Sequence, residues 1–178
     1  MATAGCGFEA SCAATLTIDS ALVRAFAGVT ARFRTLGLGP QEFAALRRRY
    51  LGEWIRAGDA VVETGACVAL RADEHGELVE LLLGHRADES RETFWLASTI
   101  ATACLGDNHL WQDMGLAGRE ELSWLLKRHF TSLYERNVGN MKWKKFFYKE
   151  LCRRAQVVLC KAPSCGTCPD YAACFGAE

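Results

Sequence analysis

Apolar residues recur along most of this chain at helical spacing. In "SALVRAFAGVTARF" an Ala-rich amphipathic run follows Ser20, which is placed to cap it. "PQEFAALRRRYLGEWI" opens on Pro40, tolerated in a first helical turn, and sets Phe43, Leu46, Tyr50 and Trp54 on one face. "ELVELLLGHR" places Leu78, Leu81, Leu82 and His85 at i, i+3, i+4 and i+7, and "REELSWLLKRHF" repeats the pattern with Leu122, Leu125, Leu126 and His129. Between them "ESRETFWLASTIATACLG" is apolar all round, as expected of a buried helix that stops at Gly106. Only "DAVVETGACVALRA" lacks a helical stripe and reads as loop or one short strand. Strands do not alternate with helices and no segment repeats. The predicted fold is all-α, a helical bundle-like body with an irregular cysteine-rich C-terminal metal-binding segment.

The pattern changes after "FFYKELCRRAQVVL", where cysteine, glycine and proline take over. This divides the chain into a helical domain over residues 1–155, weakly defined over residues 1–35, and a segment over 156–178 packed on the same domain. The segment contains "CKAPSCGTCPDYAACFG", with Cys160, Cys165, Cys168 and Cys174 spaced C-x4-C-x2-C-x5-C. Gly166 permits a tight turn between the closely spaced pair, and "PDYAA" reads as one short helical turn that swings Cys174 toward the same centre.

Composition narrows what these thiols do. Half of the 178 residues are hydrophobic, 24% are charged and the formal net charge is zero, so the chain is globular and lacks the charge for bulk nucleic-acid or membrane-surface binding. No apolar run reaches the roughly 18 residues a membrane helix needs. The N-terminus lacks a basic n-region with an apolar stretch behind it, so a cytoplasmic location is expected. In a reducing compartment an odd total of nine cysteines argues against a disulfide framework. Structural zinc usually takes two well-separated C-x2-C-like pairs, whereas metal-sulfur clusters are commonly held by closely spaced cysteines in one segment. The spacing leans toward a cluster and leaves zinc as the alternative.

Further candidates are weaker. His85 and His129 sit on leucine stripes, where a histidine is usually a hydrogen-bonded core residue. His109, in the loop "GDNHLW", is either a metal ligand or a loop stabiliser beside Asp107 and Asn108, and His75, amid charges, is expected to be exposed. Cys152 is either a small buried hydrophobe or a fifth thiol near the cluster. Cys6 and Cys12 lie in the terminal region and Cys67 and Cys104 at packing positions, none with a partner at chemical spacing. Lys142, Lys145, Lys149 and Arg153 form one basic helix face, either merely solvated or able to attract an anion or an acidic partner.

Three segments, "GDNHLWQDMGL", "NMKWKKFFYKELC" and "CKAPSCGTCPDYAACFG", resemble in that order the NifQ family of nitrogen-fixation proteins. The resemblance runs from about "LGLGPQEF" to the end. It implies a cytoplasmic iron-sulfur protein that carries molybdenum for assembly of the nitrogenase iron-molybdenum cofactor. Molybdate is the implied metal source, and the cofactor-assembly scaffold and the nitrogenase iron protein the implied partners. The family's cysteine motif has the spacing seen here, so Cys160, Cys165, Cys168 and Cys174 carry over one by one. Thr131 follows the "HF" element where the family often has proline, a departure that touches only a helix end. The expected role is a metallochaperone working by ligand exchange, with no catalytic turnover. The alternative is a zinc-stabilised helical interaction module without a cluster. A redox enzyme ranks last, because no G-x-G-x-x-G or P-loop pattern is present.

Overall fold

The helix that reads as buried does lie at the centre of the molecule. The structure, a computed structural model, describes residues 18–34, 36–52, 71–157, 167–169 and 171–176. Among these there is no strand. Helix α1 spans Ile18–Phe33, α2 Pro40–Leu46, α3 Ala72–Leu83 and α4 Arg91–Cys104. They are followed by the short α5 (Leu110–Asp113), α6 (Arg119–His129), α7 (Thr131–Arg136), α8 (Trp143–Arg154) and the single turn α9 (Tyr171–Phe175). No described helix is long and apolar enough to cross a membrane.

Helix α4 is buried at Thr93 and at every residue from Trp95 to Cys104. Its hydroxyls do not oppose this, because each finds an acceptor. Thr99 donates to the Trp95 carbonyl at 2.7 Å, Thr102 to Ser98 at 3.0 Å, and Ser98 to Leu36 at 2.7 Å. Ser90 caps the helix by accepting from the Thr93 N–H at 3.2 Å. Helices α1 and α3 pack against α4, and α8 packs on α3. The α1 stripe Ala21, Leu22, Ala25, Phe26 and Val29 is fully enclosed, each large side chain contributing ~1.5–3 kcal/mol by leaving water. On the other flank of α1, Gly28 meets the turn after α5 backbone to backbone. A Cβ on Gly28 would collide with the Met114 carbonyl oxygen, and Gly115 opposite it holds φ at +69°. Only glycine satisfies either position.

Several expectations need correction. Ser20 does not cap α1, which is already helical at Ile18, since Ala21 and Leu22 belong to the buried stripe and their turn must form before them. The face of α2 is as read at Phe43, Leu46 and Tyr50, but the helix widens into one π turn over Arg47–Leu51 and stops at Gly52. Trp54 lies outside the described residues, as does nearly all of the segment read as loop or strand. The expectations for His75 and His85 are exchanged. Helix α3 ends at Leu83, so His85 leaves the leucine stripe, stays half-exposed and pairs through Nδ1 with the Ser132 hydroxyl at 2.8 Å. His75 falls one helical turn before Leu78 and is buried, with Nε2 3.3 Å from the Ser98 carbonyl and 3.2 Å from the Thr102 hydroxyl. His129 is buried as expected, with Nδ1 2.8 Å from the Thr93 hydroxyl. Thr131 opens α7, at a helix end as expected, in a first-turn position that proline also tolerates.

These two histidines make stability pH-dependent. Burial holds both His75 and His129 below the ordinary value of 6.5. The unfolded rings take up protons near that value while the folded ones stay neutral, so the unfolded chain binds more protons and stability falls as pH drops through it. Asp88, held down to about 2 by hydrogen bonds from Ser90 and Thr93, titrates well below this window. The urea midpoint is expected to fall between about pH 7.5 and about pH 5.5, with a flatter slope in His75→Gln/His129→Gln. An unchanged slope in the double variant would assign the dependence to other groups.

Candidate metal centre

Helix α9 brings Cys174 of the cysteine motif onto the body. The Tyr171 N–H donates to the Cys168 carbonyl at 3.2 Å, which sets Cys168 just ahead of the turn and Cys174 near its end. The Lys142 N–H donates to the Cys174 carbonyl at 2.8 Å, tying the turn to the start of α8. Tyr171 stacks on Phe175 with ring centroids 4.5 Å apart, and both Cys174 and Phe175 pack against the hydrophobic core. Cys168 and Cys174 are half-buried free thiols. Cys160 and Cys165 lie outside the described residues. Among the described residues no three metal-ligating side chains converge.

The platform under α9 is rigid for identifiable reasons. Trp143, the first residue of α8, is buried and stacks on Tyr134 at 5.9 Å. Arg119 clamps the preceding loop through Nη2, which donates to the Asn140 carbonyl at 3.1 Å, the Asn140 side chain at 2.9 Å and the Met141 carbonyl at 2.8 Å. Asn137 closes that loop locally, accepting from the Met141 N–H and donating to the Met141 carbonyl.

Opposite the start of α8 runs the loop Gly106–His109, secured by Asp113. This carboxylate is fully buried and accepts from Lys144 Nζ at 2.5 Å, from the Asn108 N–H at 3.1 Å and from the Asn108 side chain at 3.0 Å. Arg32 Nε lies 3.0 Å from its other oxygen. Lys144 also donates to the Gly106 carbonyl at 2.8 Å, so one ammonium joins α8 to both loop and carboxylate. A Cβ on Gly106 would stand 2.5 Å from Asp113 Oδ2, which leaves room only for glycine there. His109 follows as the cap of α5, its N–H donating to Gln112 Oε1 at 3.1 Å. Between this loop, the start of α8 and Ala173 of α9 lies a hollow of about 530 Å³.

The sequence candidates therefore separate. His109, Lys142 and Lys145 line the hollow beside the turn that carries Cys174. His85 and His129 do not line it and are held instead by Ser132 and Thr93. Arg153 is paired with Glu150 at 3.2 Å, and Lys149 and Arg153 are not among the residues lining the hollow. Cys152 is half-buried in the C-terminal half of α8, and Cys104 is a packing residue whose thiol burial pushes up to about 12. Lys144, Asp113, Gln112 and Arg119 escaped sequence reasoning. The one available signal was "GDNHLWQD", where Asp113 interrupts an otherwise apolar helix face.

Cysteine donors of this kind fit an iron-sulfur centre and also fit zinc. Thiolates are soft ligands that suit iron-sulfur clusters and zinc, and two of the four motif cysteines, Cys168 just ahead of the anchored turn and Cys174 on it, stand half-shielded from water.

Comparison with known proteins matches the sequence to a known family. The NifQ family profile covers residues 17–176. Protein NifQ of Azotobacter vinelandii is 44% identical over 154 residues, covering 80% of this chain and 78% of that protein. Protein NifQ of Klebsiella pneumoniae is 40% identical over 146 residues, with 79% and 85% covered. Protein NifQ of Rhodobacter capsulatus is 33% identical over 143 residues, with 80% and 77% covered. No solved structure matches the chain. With the match running from the first turn of α1 to the end of α9, the chain belongs to the NifQ family of nitrogen-fixation proteins.

Proposed function

We propose that this protein is a molybdenum carrier that holds an iron-sulfur cluster on Cys160, Cys165, Cys168 and Cys174 and supplies molybdenum for assembly of the nitrogenase iron-molybdenum cofactor. The observation that carries this reading is the anchoring of Cys174 at the surface by the Lys142 N–H, which presents the cysteine turn on a rigid helix start. Family membership supports the same reading. When bound, the cluster supplies sulfide donors for molybdenum. The chain would hold the thiolates; Cys174 packs with Phe175 against the core, while Tyr171, Ala172 and Ala173 of the same turn stay exposed, on the side from which a receiving partner would approach. Carriage of this kind proceeds by ligand exchange and needs no catalytic turnover. The proposed setting is the cytoplasm, with molybdate as source and with the cofactor-assembly scaffold and the nitrogenase iron protein as partners.

Elemental analysis of protein purified without oxygen tests the proposal. Iron, acid-labile sulfide and molybdenum are expected together. Stoichiometric zinc without sulfide, persisting after anaerobic reconstitution, would replace the carrier with a zinc-ordered interaction module. The same preparation of His109→Ala decides whether that imidazole is a further ligand, since a ligand's loss changes the molybdenum content and the paramagnetic spectrum.

A further inference from the structure

The charge at the start of α8 is of the wrong sign for the helix. The N-terminus of a helix carries partial positive charge and unsatisfied N–H groups, and is normally stabilised by Asp or Glu. Here the first turn holds no acidic residue, and lysines occupy the cap position and the second and third helical positions. Lys144 is accounted for by buried Asp113. Among the described residues neither Lys142 nor Lys145 takes part in an ion pair, although both border the same hollow. The facing wall contributes Asn108, His109 and Gln112, groups able to hydrogen-bond to oxygen, and one carboxylate, Asp107. Among the described residues, two ammonium groups without an ion pair therefore border the hollow together with one carboxylate, beside the positive end of α8. The hollow, about 530 Å³ against the ~30 Å³ share of one liquid water, has room for a hydrated anion.

We propose that this hollow is a binding site for a tetrahedral oxyanion, held by Lys142 and Lys145 and positioned beside the turn that carries Cys174. Its tie to metal carriage rests on the function proposed above, which makes molybdate the relevant dianion. The site itself stands on the cavity and its charge. A bound dianion would remove the mutual repulsion of the lysines and satisfy the helix start, so binding and folding stability are linked. Lys142 contributes in two ways, since its backbone N–H holds Cys174 while its side chain borders the anion hollow.

The test uses the full chain at low ionic strength, with molybdate as probe in equilibrium dialysis and in thermal melts. Wild type is expected to bind one molybdate per chain and to melt higher with molybdate than with chloride at equal ionic strength. Lys142→Gln/Lys145→Gln is expected to weaken binding about tenfold or more and to lose the melting shift. Lys145→Gln alone, at an exposed position, keeps the measurement open if the double variant folds poorly, and is expected to weaken binding severalfold. Lys149→Gln, outside the hollow, is expected to change neither. Displacement by sulfate would show a site for tetrahedral dianions in general, still dependent on the two lysines. Equal binding by wild type and both hollow variants, or no saturable binding by wild type, would overturn the proposal. Cys168→Ala separates the two readings, because it is expected to keep molybdate binding while iron and sulfide are lost. A chain that binds molybdate yet carries zinc would refute the carrier and retain the site.

Discussion

Cys168→Ala and Cys174→Ala, each purified without oxygen, are expected to lose nearly all iron and acid-labile sulfide. Each side chain is a half-buried free thiol at one end of α9, and each is one of the four thiolates that the proposed cluster requires. Loss of metal in these variants would be a ligand effect, because the contacts that place the turn belong to the backbone. The Cys168 carbonyl accepts from the Tyr171 N–H and the Cys174 carbonyl from the Lys142 N–H, and alanine keeps both. Far-ultraviolet dichroism and the melting temperature should therefore stay close to wild type while the visible absorption of the cluster disappears. Cys104→Ala is the matched control. Its thiol lies in the core with its pKa raised to about 12, so it is inert toward metals and its removal should leave iron content unchanged. Full iron and sulfide in both α9 variants would remove these residues from the ligand set.

Asp113→Ala is expected to be the most destabilising single change near the site, by ~3–5 kcal/mol, because it leaves a shielded ammonium without its counter-charge. Lys144 is only 16% exposed and points its Nζ at this carboxylate, while Arg32 is more exposed and can turn to water. The same substitution removes the acceptor for two Asn108 donors, so the Gly106–His109 loop should loosen along with the fold. Urea denaturation measures the cost. Asp113→Asn should cost less, since one carbonyl oxygen remains, and Asp113→Asn/Lys144→Met less than Asp113→Ala, since no charge is left stranded. If the double variant proves as unstable as the alanine variant, the stranded charge is not the cause. The oxyanion hollow shares this support. One of its walls is held to the other by Lys144, so its shape depends on Asp113 although Asp113 does not line it.

The helices were legible because burial imposes a period on sequence that does not depend on neighbours. Helix α4 could be recognised from its uninterrupted apolar character, and α6 from Leu122, Leu125, Leu126 and His129. The histidines were read less well. His85 followed a leucine stripe by count alone, but α3 ends two residues before it, and a turn residue has no helical face. His75 stood among charges in sequence, yet its side of α3 is the one that packs on Ser98 and Thr102 of α4. Local composition describes the neighbours along the chain, whereas burial is decided by the neighbours across it.

The basic face shows the same division. Helical spacing places Lys142, Lys145, Lys149 and Arg153 together, and the sequence offers no ground for separating them. The fold separates them, because the loop Gly106–His109 is anchored opposite the first turn of α8, while Arg153 pairs with Glu150, which Arg136 also holds. By itself, then, the sequence determined an all-helical body, a four-cysteine motif with spacing suited to a metal-sulfur centre, and a family. Those follow from periodicity and from side-chain chemistry, which are carried by residues near one another in the chain. Tertiary structure alone decided which histidine shares a hollow with the cysteine turn and which lysines, among the described residues, form no ion pair. It also put a buried aspartate in the role of joining loop to helix. Such outcomes depend on contacts between residues tens of positions apart, and only packing brings those residues together.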